Sequence, residues 1–343
     1  MTDISIVVPT RNRAARLRAL LASLAEQRDA PPFEVIVVDN ASSDDTLAVV
    51  ADADSQADAH VRAIHLPRPL GPAVARNRGW RSARGELVVF TDDDVVARPG
   101  WLAALADGHR RDPSALIQGC TEPDPREAHR LAAFTRSQSA TGPGPWFQTC
   151  NIAYPRKLLE RLGGFDESFW EAAGEDTDLG WRAIEAGARV VYEPSAVNWH
   201  AVHNPGALKL IKATQKWRLA VRAVARHPQL RDALQHRIFW KASHERLLAA
   251  MLGLAVAANA RGGGSGGGGG GGHTRGGRGG SGGSRALAIA IACAAVAPYL
   301  ALQRTQHGSY AGTVAALPAH VALDAAEIVA MVRGSIEART LVL

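Results

Sequence analysis

An α/β fold built on a mostly parallel sheet is what this sequence predicts, and three observations predict it. Over roughly the first 120 residues short β-rich runs alternate with helical stretches, the rhythm of a parallel sheet covered by helices. The β-rich runs are continuously apolar, as strands buried on both faces are. The polar residues that stand out, Thr10, Asp39 and Asp92-Asp93-Asp94, fall where such runs end. In open α/β sheets ligands sit at the carboxyl ends of the strands.

The elements follow in order. Ile4–Val8 (ISIVV) is the first buried run, and Leu17, Leu20, Leu21 and Leu24 follow at helical spacing. Val35–Val38 is the second run, and Ser43–Ala53 reads as a helix with a polar start. Val61–His65 is a third strand, Ala73–Arg81 a short helix, and Leu87–Phe90 a fourth strand. Trp101–Arg111 is helical and Ala115–Gln118 a fifth strand. Thr121–Pro145, rich in Pro, Gly and charge, reads as a long loop. Phe147–Tyr154 is expected to be a strand, Arg156–Leu162 a helix closed by Gly163-Gly164, Thr177–Ala186 a helix, and Arg189–Tyr192 the last strand. After Pro205 the character changes. Ala207–Arg226 and Leu230–Arg246 are basic and helix-prone, Leu247–Ala260 and Ala286–Gln303 carry no charge, and 261–285 is a Gly-rich tract expected to be disordered. Two regions are therefore expected: 1–205, an α/β catalytic domain, and 206–343, a helical appendage.

A chain of 343 residues suffices for one catalytic domain and such an appendage. Its net charge of +6 is concentrated: Gly206–Arg246 holds ten Lys/Arg and two acids, a local +8, so the rest is slightly acidic. The three cysteines, Cys120, Cys150 and Cys293, are far apart and form no CxxC, which argues against a cysteine zinc site or a disulfide framework. The opening MTDISIVVPT lacks a basic segment followed by an apolar stretch. No signal peptide is expected, and the N-terminal part should stay in the cytoplasm.

Phe90-Thr91-Asp92-Asp93-Asp94 carries the strongest chemical signal. At about 4 Å and an effective dielectric near 20, each pair of like charges costs roughly 4 kcal/mol. A divalent cation would offset that cost. Strand alternation would put Asp92 and Asp94 on one side and Asp93 on the other, two hard oxygen ligands for Mg²⁺ or Mn²⁺; a solvated acidic turn is the alternative. In Gly174-Glu175-Asp176-Thr177-Asp178, a carboxylate at a helix start can serve as general base. Helix capping explains the same residues. Asp39 can accept from a nucleobase or ribose, or form an Asx turn. Arg76 and Arg78, in GPAVARNRGW, suit phosphate oxygens or a solvated helix face. His200, with His203 near it, ends a strand and is either a third metal ligand or structural.

In this order these elements resemble the family 2 glycosyltransferases. The matching stretches are Ile4–Arg13 (ISIVVPTRNR), Val37–Asn40 (VVDN), Gly71–Trp80 (GPAVARNRGW), Phe90–Asp94 (FTDDD), Asn151–Tyr154 (NIAY), Gly163–Glu167 (GGFDE) and Gly174–Arg182 (GEDTDLGWR). The resemblance implies a GT-A fold, a Rossmann-like nucleotide-diphospho-sugar transferase sheet, and a single inverting displacement. It implies that Pro9, Thr10, Arg11 and Asp39 hold the nucleoside and that Arg76 lies near the ribose or diphosphate. Asp92 and Asp94 would form the metal site with Asp93 beside the nucleotide, Asp94 being the direct ligand and His200 an accessory one. Asp176 would be the base with Glu175 next to it, and Asn151 and Trp181 would line the substrate pocket. Mg²⁺ or Mn²⁺ is the implied cofactor. Processive relatives such as cellulose and chitin synthases carry QxxRW after the base. Thr214-Gln215-Lys216-Trp217-Arg218 does not fit that pattern, so one or a few additions per encounter are expected.

The basic segment before the apolar runs suits an anionic cytoplasmic leaflet. The helices would then cross the bilayer, lie in its plane, or pack as a soluble pair. Four arginines around the Gly-rich tract (Arg261, Arg275, Arg278, Arg285) resist translocation. That tract has no aromatic residue for base stacking, so a linker and not a nucleic-acid-binding segment is expected. The expected partners are a nucleotide-diphosphate sugar, a glycan or lipid-linked acceptor, and a membrane surface, with the catalytic domain on the cytoplasmic face. The rivals are a nucleotidyltransferase and a catalytically silent sugar-nucleotide or glycan-binding protein. A Gly-rich loop after the first strand, needed by the nucleotidyltransferase, is absent, as is the GxGxxG of an NAD(P) oxidoreductase.

Overall fold

The computed structural model describes residues 3–55, 60–262, 280–307 and 310–343. Its first half runs β1 (Ile4–Thr10), α1 (Ala14–Ala25), β2 (Phe33–Asp39), α2 (Thr46–Asp54), β3 (His60–His65), α3 (Pro72–Arg81), β4 (Leu87–Phe90), β5 (Val95–Ala97), α4 (Trp101–Arg111) and β6 (Leu116–Pro123). Then come β7 (Ile152–Pro155), α5 (Arg156–Leu162), α6 (Glu175–Glu185), β8 (Val190–His200), α7 (Ala207–Ala213), α8 (Trp217–Arg226), α9 (Ala242–Gly262), α10 (Gly280–His307) and α11 (Tyr310–Ala338).

The eight strands form one sheet in the order β3-β2-β1-β4-β7-β6-β8-β5. β3, β2, β1 and β4 are mutually parallel, as are β6 and β8, while β7 and β5 run antiparallel to their neighbours. The sheet is therefore mixed. Alternation along β1 explains its two-sided burial: Ile4, Ile6 and Val8 pack with α1 and α4, and Val7 packs with α3 and α6 on the other face. α3 lies close against β1. A Cβ on Gly79 would come within 2.3 Å of Val7 Cγ1, so only glycine fits there.

Several elements differ from expectation for identifiable reasons. The strand expected over 147–154 is only Ile152–Pro155. Phe147 has φ +51 and fills the space above Gly180, so it anchors a loop. The last strand does not stop at Tyr192 but continues to His200. Pro194 has no N–H to donate, and it sits where the β6–β8 register shifts between Gly119 and Cys120. The bulge absorbs it and the strand resumes. Ala207–Arg226, expected as one helical stretch, is divided into α7 and α8 by a 3₁₀ turn at Thr214–Lys216.

The chain separates into two compact units, Met1–Gly206 with Lys216–Leu230, and Ala207–Gln215 with Arg231–Leu343. The second contains α9, α10 and α11. α10 and α11 carry Pro298 and Pro318 within their helical spans. Two segments, Ala286–Thr305 and Ala311–Ala338, are long and apolar enough to cross a membrane by length and composition. Of the tract expected to be disordered, Arg261 and Gly262 end α9 and 280–285 begin α10, while 263–279 lie outside the described residues.

Candidate active site

β4 ends at Phe90, so the strand alternation expected to pair Asp92 with Asp94 stops before it reaches them. The turn that follows divides the triplet differently. Thr10 Oγ1 donates to Asp93 Oδ2 at 2.7 Å. Arg13 Nη1 donates to Asp93 Oδ1 at 3.0 Å and also bonds Asp94. Asp92 instead accepts from Arg76 Nη2 at 3.0 Å. Asp93 and Asp94 thus share one guanidinium and Asp92 takes another, which corrects the expectation that Asp93 would stand apart.

Arg76 is the hinge of the site. Its Nη1 donates to Glu175 Oε1 at 2.9 Å, so one buried guanidinium joins the turn after β4 to the start of α6. Arg76 Nε and Glu175 Oε2 are buried and have no hydrogen-bond partner among the described residues. Buried polar atoms of this kind are costly unless a ligand or water completes them.

Asp94 meets two histidines on its other side. His203 Nε2 lies 2.7 Å from Asp94 Oδ2, and His200 Nε2 lies 3.4 Å from Asp94 Oδ1. One ligand atom from each of the three falls within 4.8 Å of the others. His200 Nδ1 is 2.9 Å from Ala201 O. A proton on Nδ1 leaves the Nε2 lone pair facing Asp94, the tautomer a metal ligand needs. The segment is held in place: Asp124 N donates to His200 O at 2.8 Å, and Arg136 and His203 exchange backbone bonds of 2.8 Å. A carboxylate with two imidazoles fits Mn²⁺ better than Mg²⁺, which favours oxygen alone.

The charges of the site are uneven. Burial pushes Asp93 up to about 7; Arg13 opposes this only in part, and Asp94 adds to it. Burial acts on Asp94 in the same direction, but the His203 hydrogen bond and the charges of His200 and Arg13 outweigh it and hold Asp94 well below the ordinary range.

α6 brings the second carboxylate pair. Its N-cap is Gly174 at φ +96, and no side chain caps the helix, so capping does not account for Glu175 and Asp176. Asp176 Oδ1 accepts from Thr177 N at 2.8 Å. Burial first, then the neighbouring Glu175, pushes Asp176 up to about 7, with Arg76 opposing and Asp92 adding. Asp92 and Asp176 are therefore near enough to feel one another's charge. α6 is braced from behind. Asp178 is fully buried and accepts from Arg182 Nε at 2.8 Å and Arg226 Nη1 at 2.9 Å, with His227 Nε2 at 3.4 Å.

The remaining expected residues divide. Pro9 and Thr10 end β1 beside the triplet, and Arg11 is exposed next to them. Asp39 is buried and accepts from Ser42 N at 3.1 Å and from His65 Nδ1 at 2.7 Å, so the turn that leaves β2 uses it. Asn151, expected in the pocket, is buried as a strut between strands. It accepts from Trp101 Nε1 at 2.9 Å and donates to Cys120 O at 2.8 Å and Ala196 O at 2.9 Å. Trp181 donates to Pro145 O at 3.0 Å and stacks on His227, which ties the 142–147 loop to α6. Arg13 and His203 are the site residues that sequence reasoning left without a role. Arg13 stood inside the PTRNR stretch, and His203 stood three residues past His200.

Comparison with known proteins bears on this geometry. The profile described as "Glycosyl transferase family 2" matches residues 5–163, and that described as "Glycosyl transferase family group 2" matches 87–302. Over 213 residues the chain is 35% identical to the pre-mycofactocin glycosyltransferase of Mycobacterium tuberculosis (strain ATCC 25618 / H37Rv), covering 58% of this chain and 42% of that protein. It is 33% identical over 216 residues to the validoxylamine A glucosyltransferase of Streptomyces hygroscopicus subsp. limoneus, covering 52% and 47%. The chain thus spans less than half the length of these curated relatives. Among solved structures, the mannosyltransferase PcManGT from Pyrobaculum calidifontis, in complex with GDP-Man and Mn²⁺, matches with a TM-score of 0.57 at 25% identity over 97% of this chain and 87% of that one. S. aureus TarS 1–349 in complex with UDP shares the fold at 18% identity and TM-score 0.51, covering 90% and 93%.

Proposed function

This chain belongs to glycosyl transferase family 2 and has the GT-A fold, and on that premise we propose that it transfers a sugar from a nucleotide-diphosphate donor to an acceptor hydroxyl with inversion. The observation that carries the reading is the Arg76 bridge. It holds the Asp92–Asp94 turn and the Glu175-Asp176 helix start around one guanidinium. A donor's pyrophosphate and a base for the acceptor then have places on either side of a single cleft.

Asp176 is the general base. A carboxyl raised to about 7 is half-ionised at neutral pH and is a stronger proton acceptor than an ordinary aspartate. It takes the acceptor proton as the acceptor oxygen attacks the anomeric carbon. Asp94, His200 and His203 are the candidate ligands for a divalent cation, Mn²⁺ or Mg²⁺, with Asp92 in the same turn held on Arg76. Bound there, the cation would stabilise charge gathering on the departing diphosphate. Arg13, with its guanidinium half in solvent, is placed to add to that stabilisation, and Arg76 keeps Asp92 and Glu175 in position. Thr10 orients Asp93, and Pro9, Arg11 and Asp39 border the nucleoside side. The apolar C-terminal helices and the +8 segment support attachment to the cytoplasmic membrane face, which favours a lipid-linked saccharide or cell-envelope glycan as acceptor.

A donor screen tests this. The protein is incubated with Mn²⁺ and a panel of UDP-, GDP- and dTDP-sugars, and nucleoside diphosphate release is measured with and without cell-envelope extract. One donor should release its diphosphate in a Mn²⁺-dependent manner. Release from none of them, with tight nucleotide binding retained, would favour a silent binding protein.

A further inference from the structure

We propose that the helical unit holds a second divalent-metal site, built from His244, Asp324 and Glu327, with zinc as its metal. It goes beyond the transfer reaction and does not depend on it.

α9 contributes His244 and α11 contributes Asp324 and Glu327. Three residues apart on a helix, the two carboxylates face the same way. All three residues are buried, with His244 and Glu327 at 0% and 2% exposure. One ligand atom from each lies within 4.8 Å of the others, and His244 Nε2 is 3.1 Å from Glu327 Oε2. Metal sites in helical bundles arise in this way, from inward-facing Asp, Glu and His on adjacent helices.

Charge argues for a cation. With a neutral His244, the two buried carboxylates face one ammonium among the described residues, Lys241 Nζ, which donates to Glu327 Oε2 at 2.6 Å and whose side chain is 43% exposed; only a protonated His244 ring would supply a second positive charge. Buried charge that is not matched costs several kcal/mol by the usual order of magnitude. Zn²⁺ with a neutral imidazole cancels both carboxylates and frees the flexible Lys241 head for solvent.

The surroundings are arranged as a metal site's outer shell is. Ser243 Oγ donates to Asp324 Oδ1 at 3.0 Å and Tyr299 OH to Asp324 Oδ2 at 2.8 Å, which fixes the carboxylate plane. Gln303, 1% exposed, lies with Nε2 3.5 Å from Asp324 Oδ2, and its Oε1 is buried without a hydrogen-bond partner among the described residues. A water in the fourth position on zinc would donate to that oxygen. His244 Nδ1 is likewise buried without a hydrogen-bond partner among the described residues. The set contains no cysteine, which is why cysteine spacing gave no hint of it. Three N and O ligands with one open position fit zinc.

The test uses the full-length chain carrying Asp94→Ala, which removes the other candidate metal site. The protein is stripped with chelator, given Zn²⁺, desalted, and assayed for metal by mass spectrometry; Co²⁺ is substituted in parallel and its visible spectrum recorded. The expected result is about one zinc per chain, with the strong absorption of four-coordinate cobalt. Adding Glu327→Gln or His244→Ala should lower occupancy at least tenfold. No retained zinc, or zinc retained undiminished in both added variants, overturns the proposal. If those variants do not fold, the cobalt spectrum of the Asp94→Ala chain decides: weak six-coordinate absorption, or none, overturns it.

Discussion

Asp176 stands between a like charge and a cation, and the balance would set the pH at which the proposed base works. Burial and Glu175 raise its carboxyl toward about 7, and Arg76 restrains the rise. Below that value the carboxyl is protonated and cannot accept the acceptor's proton. The rate must therefore fall as pH drops through the limb and level off above it, about tenfold per unit on the acidic side. A kcat/KM profile from about pH 5 to about pH 9 should show an acidic limb near neutrality, well above the ordinary carboxylate range near about 4. A plateau extending to the acidic end would count against Asp176 as the base. Arg76→Lys keeps a charge but loses the fork that reaches Asp92 and Glu175 together. It should lower kcat at least about tenfold in steady-state assays, and a wild-type kcat would count against the bridge. The carboxylates themselves were readable from sequence, since acids at strand ends and helix starts stand out by type and position. Their partners were not. Arg13 lies 81 positions from Asp94 and His203 lies 109 from it, distances over which no local pattern operates. Asn151 shows the opposite error. A motif match suggested a pocket residue, whereas Trp101 and two backbone carbonyls use its amide as a strut.

At the scale of elements, α6 carries the proposed base and is fixed from two directions. On its inner face Gly180 receives the Phe147 ring, and a Cβ there would lie 2.1 Å from Phe147 Cδ2. Alanine is the better helix former by about 1 kcal/mol. Overpacking costs about 1–3 kcal/mol and should outweigh that gain. Gly180→Ala is thus predicted to destabilise by roughly 1 kcal/mol in denaturant unfolding; stabilisation would mean that Phe147 moves freely. Behind the helix Asp178 gathers Arg182, Arg226 and His227. Asp178→Asn removes the anion and leaves that cluster unbalanced, at a cost of about 3 kcal/mol. The parallel strands and their helices were readable because apolar runs of four or five residues admit few alternatives. The antiparallel insertions were not: β5 is three residues long, and β8 crosses a proline that reads as a stop. Tertiary pairing, not local preference, forms both.

At the scale of the whole chain, composition changes character after Pro205, whereas the compact units divide differently: Lys216–Leu230 groups with the first, and the second is built mainly from α9, α10 and α11. How that unit meets a lipid surface is not encoded by run length alone, since buried and bilayer-spanning helices share the same apolar runs. The +8 segment makes the proposed attachment measurable. The full chain should sediment with vesicles rich in phosphatidylglycerol, and its peripheral share should decline as salt rises past about 0.15 M, where screening shortens to about 8 Å. Equal recovery with neutral vesicles would remove the electrostatic contribution. The central claim is that the Asp92–Asp94 turn and the start of α6 serve opposite ends of one reaction. Donor binding and transfer measured side by side in Asp176→Asn test it most directly, with the donor identified in the screen. The account predicts donor affinity within about threefold of wild type and transfer reduced by about 10³-fold or more. Wild-type transfer by that variant, or loss of donor binding and transfer together, would contradict it.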